Sequence, residues 1–85
     1  MRKKDIVIDV FEPERANIVF PIICVYDRPD DYPKKIVARV WDLDRPTSMV
    51  MIADSVEDMR LRKPSDMIVI PRDPEDARII VETWV

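Results

Sequence analysis

Glycine and histidine are both absent from this 85-residue chain, and cysteine occurs once, at Cys24. Average usage would place roughly six glycines in a chain of this length. Their absence excludes Gly-rich phosphate loops, dinucleotide fingerprints and nucleophile elbows together. Without histidine the chain also lacks the side chain that carries most acid-base and zinc chemistry near neutral pH. A single cysteine inside the apolar run from Ile18 to Val25 allows no intramolecular disulfide and no thiolate metal cluster. It reads as a buried, inert thiol, since no basic residue adjoins it in sequence to lower its pKa.

What is present is a core-forming fraction under a heavily ionised surface. Apolar residues make up 47% and charged residues 36%, a balance that argues for a folded domain and against disorder. The length fits one domain spanning residues 1–85. Fourteen basic against seventeen acidic side chains give a net charge of −3, which offers no electrostatic footprint for nucleic acid. The short basic stretches Arg2-Lys3-Lys4 and Arg60-Leu61-Arg62-Lys63 read as a solvated start and as the cationic end of a helix. The three N-terminal cations precede Asp5-Ile6-Val7-Ile8-Asp9, too short and too acidic for the apolar region of a signal peptide. No run is long enough for a membrane span, so the expectation is a cytoplasmic protein with no membrane partner.

Eight prolines, most of them in clusters with acids, divide the chain. Glu12-Pro13-Glu14-Arg15, Asp27 to Pro33, Asp44-Arg45-Pro46-Thr47 and Arg72 to Asp76 read as turns. Proline presets the first central position of a type I turn and aspartate accepts a backbone hydrogen bond, so such turns need no residue at positive φ. Tight primed hairpins, which favour glycine, are not expected. Between the turns lie six Val- and Ile-rich runs: Asp5 to Phe11, Asn17 to Tyr26, Lys35 to Trp41, Ser48 to Ala53, Met67 to Arg72 and Arg78 to Val85. These predict strands. Ser55 to Pro64 breaks the pattern with a capping hydroxyl, early acids, late cations and a proline stop, which predicts a short helix at about 55–62. The predicted fold is a small α+β domain, a mainly antiparallel sheet of five or six strands with that helix against one face. The dozen residues at 54–65 would also permit a parallel pairing of the fourth and fifth strands.

Alternation sorts the side chains of each strand into two sets. In the third, Ile36, Ala38 and Val40 share a face, opposite Lys35, Val37, Arg39 and Trp41. The last separates Ile80, Glu82 and Trp84 from its other residues, and the first groups Phe11 with Asp5, Val7 and Asp9. Each large aromatic falls with the charges. Phe11, Val37, Arg39, Trp41, Ile80, Glu82 and Trp84 therefore form a candidate surface of aromatic anchors and paired charges, unless the helix covers it as a second small core. The second strand, uncharged from Ile18 to Tyr26, reads as central and covered on both faces, with Pro21 demanding a bulge or an unpaired edge.

Carboxylates are the only abundant catalytic material. Asp27, Asp30, Asp31, Asp42 and Asp44 could line a cation site, although the EF-hand glycine is missing and Ala53 occupies the twelfth position from Asp42. The hydroxyls Thr47, Ser48, Ser55, Ser65 and Thr83 have no histidine and no suitably spaced lysine. The leading expectation is a non-enzymatic binding or assembly module without a cofactor, self-associating through the face bearing Trp41 and Trp84, so that Trp84→Ala weakens association more than folding. One alternative is a small metal-dependent enzyme or regulator using the loop carboxylates. A second is a weak nucleic-acid-associated protein using Arg60, Arg62 and Lys63.

Overall fold

The computed structural model describes residues 5–12 and 17–85. In chain order the elements are β1 (Ile6–Val7), β2 (Pro21–Asp27), β3 (Ile36–Asp42), β4 (Arg45–Ala53), α1 (Val56–Arg60), β5 (Val69–Pro71) and β6 (Ile80–Trp84). The six strands form one mixed sheet in the order β1-β4-β3-β2-β6-β5. Only β1 and β4 run parallel; every other neighbouring pair is antiparallel. The α+β architecture read from the sequence is thus the observed one. The segment carrying α1 does not cross between parallel strands, because β5 lies antiparallel to β6 at the far edge.

Strand β2 lies between β3 and β6, as its uncharged run requires. Ile23 and Val25 project into the core while Ile22, Cys24 and Tyr26 stay half-buried, so the second face of β2 is less covered than the run suggested. Pro21 begins the strand and its missing donor interrupts nothing further along. Ser55 caps α1 by accepting a hydrogen bond from the Asp58 backbone N–H at 3.1 Å, with Glu57 and Asp58 in the first turn and Arg60 in the last. This short helix seals one face of β3 and β4 with Met59. Around Met59 the core gathers Phe11, Ile23, Val25, Ile36, Ala38, Val40, Met51, Ala53, Met67 and Trp84.

The turns depart from expectation at two places. Asp42 pairs with Arg45, so Leu43-Asp44 is a two-residue hairpin loop, the tight connection that the lack of glycine argued against. Leu43 takes φ 57° while Asp44 stays negative, the pattern of a type II′ turn, and Arg28 at φ 48° opens the Asp27-to-Pro33 turn in the same left-handed region. Leu43 is held there from outside: its N–H donates to the Phe20 carbonyl at 2.8 Å, and the Phe20 N–H donates to Asp42 Oδ1 at 3.1 Å. Neighbouring hydrogen bonds thereby impose a backbone state that leucine disfavours by about 1 kcal/mol. Leu43→Gly should accordingly raise stability by about 0.5–1 kcal/mol, read as a higher midpoint in urea with an unchanged slope.

Pro46 produces a second irregularity. It stands across from Trp41 without a donor, and the β3–β4 register shifts between Arg39 and Trp41. The Thr47 hydroxyl repairs the gap, donating to the Val40 carbonyl at 2.7 Å and accepting from the Met49 N–H at 3.2 Å. Both sheet edges are blunted. Strand β1 has two residues, and in β5 the hydrogen-bonded pair of Ile68 with Val85 turns the Pro71 nitrogen outward, where an incoming strand would find no N–H.

Candidate functional site

Register decides which side chains meet on each face of the sheet. Ile23 pairs with Val40 on one side and with Trp84 on the other, which places Trp84 in the file of Val40 and not in that of Trp41. The two tryptophans therefore lie on opposite faces, and the surface expected to carry both does not form. Trp84 is fully buried and Glu82 is 2% exposed, both on the face that α1 covers. Phe11 is likewise a core residue.

The helix-side face contains an ionised carboxylate. Glu82 accepts from Arg60 Nη2 at 2.6 Å, from Arg60 Nε at 3.1 and 3.3 Å, and from Trp84 Nε1 at 2.7 Å. Burial pushes the pKa of the Glu82 carboxyl up, but the hydrogen bonds from Arg60 and Trp84 outweigh it and hold the group below the ordinary carboxylate range. The arrangement pins the last turn of α1 to the end of β6. Both carboxylate oxygens are engaged by these four contacts.

On the opposite face, cross-strand pairing sets out three rows. Ile22, Trp41 and Pro46 form the row beside the Leu43 hairpin. Thr83, Cys24, Arg39 and Val50 form the middle row. Ile80, Tyr26, Val37 and Ile52 form the last, with Ile80 reached across a register shift in β6. Arg39 anchors a partial roof: its Nη1 and Nη2 reach the two Asp5 oxygens at 3.1 and 3.2 Å, Nη1 also donates to the Thr47 carbonyl at 2.8 Å, and Asp31 stands 3.7 Å away. The Tyr32 hydroxyl donates to the same Asp5 carboxylate at 2.9 Å. Burial and the Asp5 hydrogen bond both raise the Tyr32 phenol, which keeps it a donor through the physiological range. Val37 and Val50 are buried on this face, although they stand outside the main core cluster.

The roof does not extend over the first row, where Ile22 and Trp41 remain half-buried. Trp41 Nε1 is buried and, among the described residues, is the one side-chain nitrogen or oxygen so placed without a hydrogen-bond partner of ordinary geometry. It still acts on the Tyr26 phenol, favouring the ionised form, while burial and Cys24 prevail and raise that phenol. Proximity without a bond of normal length and angle accounts for both observations. Cys24 itself is half-buried, its Sγ 3.8 Å from the Thr83 hydroxyl. Beyond Trp41, at the hairpin end, Val19 is 92% exposed, Leu43 57% and Phe20 53%.

Of the seven residues selected from the sequence, Val37, Arg39 and Trp41 share this face, Ile80 stands in register with it, and Phe11, Glu82 and Trp84 do not. The loop acids are also dispersed: Asp27 pairs with Arg28, Asp31 with Arg39, and Asp42 with the Phe20 backbone. Among the described residues no three of Cys, Asp and Glu gather as a metal site would require. The basic stretch after α1 is engaged internally, since Arg60 holds Glu82, Arg62 donates to the Ile52 carbonyl, and Lys63 donates to the carbonyls of Pro64 and Met67. The hairpin-end residues Val19, Phe20 and Leu43 were absent from the sequence selection. Their signal was a large apolar side chain between two aspartates in Asp42-Leu43-Asp44, where a turn ordinarily carries polar residues.

No helix among the described residues is long and apolar enough to cross a membrane. In comparison with known proteins, no family model, no curated protein and no solved structure matches the chain.

Proposed function

We propose that this protein is a non-enzymatic binding and assembly module of the cytoplasm that self-associates through the sheet face bearing Trp41. Trp84, set in the core, takes no part in that contact. The supporting observation is the unroofed row of Ile22 and Trp41, which opens directly onto exposed Phe20 and Leu43 at the hairpin end. Tryptophan is enriched at interface anchors, and the Trp41 side chain is only half-buried on this row. The non-catalytic part of the reading rests on composition, and on the use of Asp5, Asp31 and Glu82 as structural anchors.

Sedimentation equilibrium over a range of concentrations tests the proposal. The wild-type protein should associate reversibly with a dissociation constant on the order of 10–100 μM, as a small interface implies. Trp41→Ala should weaken association about tenfold or more while lowering stability by only about 1–2 kcal/mol, since the side chain is half-buried and its N–H unsatisfied. A strict monomer at several hundred micromolar would refute it.

A further inference from the structure

Resting on that reading, we infer that the occupant of the hairpin end is a second copy of this chain, docked about a two-fold axis so that Asp44 of each copy meets Arg45 of the other.

The hairpin end combines three observations. Leu43 sits at φ 57°, a backbone state better suited to glycine, and it presents an apolar side chain to solvent. Strain of this kind points to a role for the side chain that bears it. Beside it stand Phe20 and Val19, held against the turn by the bond from the Leu43 N–H to the Phe20 carbonyl. Asp44 and Arg45, the next two residues, are both exposed, and neither has an ion-pair partner among the described residues. An apolar centre flanked by one free acid and one free cation is self-complementary. Two-fold docking requires that property, because each patch faces its own copy. A partner presenting a single sign of charge would instead leave Asp44 or Arg45 against a like charge.

The sheet edges offer the second copy less. Strand β1 pairs over two residues, and β5 turns the donorless Pro71 nitrogen outward. Continuation of the sheet from one copy to the next is therefore impeded at both ends, and the hairpin end remains.

Charge reversal separates this geometry from association in general. In the two-fold complex Asp44→Arg opposes two arginine pairs and Arg45→Asp opposes two aspartate pairs, so each variant alone should associate about tenfold more weakly than wild type at low salt. An equimolar mixture of the two variants should recover wild-type affinity to within about threefold, because every contact across the mixed dimer is again between opposite charges. The chain carrying both reversals should recover likewise. All four samples are read by sedimentation equilibrium, with thermal melts to show that these exposed substitutions leave folding unchanged. If the single reversals have no effect, or the mixture is no tighter than its components, while Trp41→Ala still dissociates the protein, the two-fold contact at the hairpin is wrong and the assembly reading stands. If wild type is monomeric throughout, both fall.

Discussion

Arg60→Ala should destabilise the protein by about 2–3 kcal/mol at neutral pH, and the loss should shrink on acidification. Removing the guanidinium leaves Glu82, which is 2% exposed, with Trp84 Nε1 as its remaining side-chain donor. Breaking a buried ion pair from one side typically costs about 3–5 kcal/mol. Here the lower end applies, because the Arg60 side chain is 53% exposed and its charge is partly screened. The sign with pH follows from the two folded states. In the wild type Glu82 lies below its ordinary value, so its contribution is present above the unfolded carboxylate range and is lost as pH falls through the lower, folded value. In Arg60→Ala burial is no longer outweighed, and the folded value moves above the unfolded one. The variant's penalty is then greatest above that raised value and diminishes as pH falls through it, where Glu82 is protonated in place. Urea unfolding of both proteins across this window checks it. A penalty independent of pH would mean that the apolar stem of Arg60 matters more than its charge. Glu82→Gln provides the control: it keeps the shape, costs about 1–2 kcal/mol and should abolish the difference in slope.

How much of this was legible in the sequence depends on whether a feature is local. The cap at Ser55, the acids and cations along α1 and the prolines between strands each act within a few residues, so element type could be read from them. Glu82 and Arg60 stand 22 residues apart, and no periodicity joins them. Face assignment failed for the same reason. Alternation within β3 was read correctly, and in β6 it held for Glu82 and Trp84 but not for Ile80, which the register shift carries to the other face. Alternation also does not fix how one strand registers on another. With Val and Ile on both faces of β2, hydrophobicity could not select between the two registers. Pairing of Ile23 with both Val40 and Trp84 made the choice, and it reversed the relation of Trp84 to Trp41. The Leu43 turn was missed because turn propensities describe what a turn prefers. They do not report the external bonds, here from Phe20 and Asp42, that let a disfavoured residue occupy it. The same two bonds expose the side chain on which the proposed contact depends.

Replacement of the two tryptophans should have opposite consequences, and this is the largest separation the structure implies. Trp84→Ala should cost about 3–5 kcal/mol, because it empties a fully buried site facing Ile23 and also removes one of the donors to Glu82. Against a total stability on the order of 4–13 kcal/mol for a chain of this length, such a loss removes most or all of the stability at the lower end of that range. The sequence alone had favoured a larger effect on association than on folding, and burial reverses that expectation. Trp84→Phe divides the two contributions. It retains much of the ring volume while withdrawing the indole N–H from Glu82 Oε2, and should cost about 1–2 kcal/mol. Trp41→Ala leaves a folded protein with impaired association, since its ring lies on the unroofed row and its N–H satisfies no internal acceptor. Emission from the single remaining tryptophan reports the environment of each. In Trp41→Ala, Trp84 should emit at short wavelength regardless of concentration, whereas in Trp84→Phe the emission of Trp41 should shift to shorter wavelength as the protein is concentrated. A concentration-independent Trp41 spectrum would remove that ring from the contact, and a red-shifted Trp84 would contradict its place in the core.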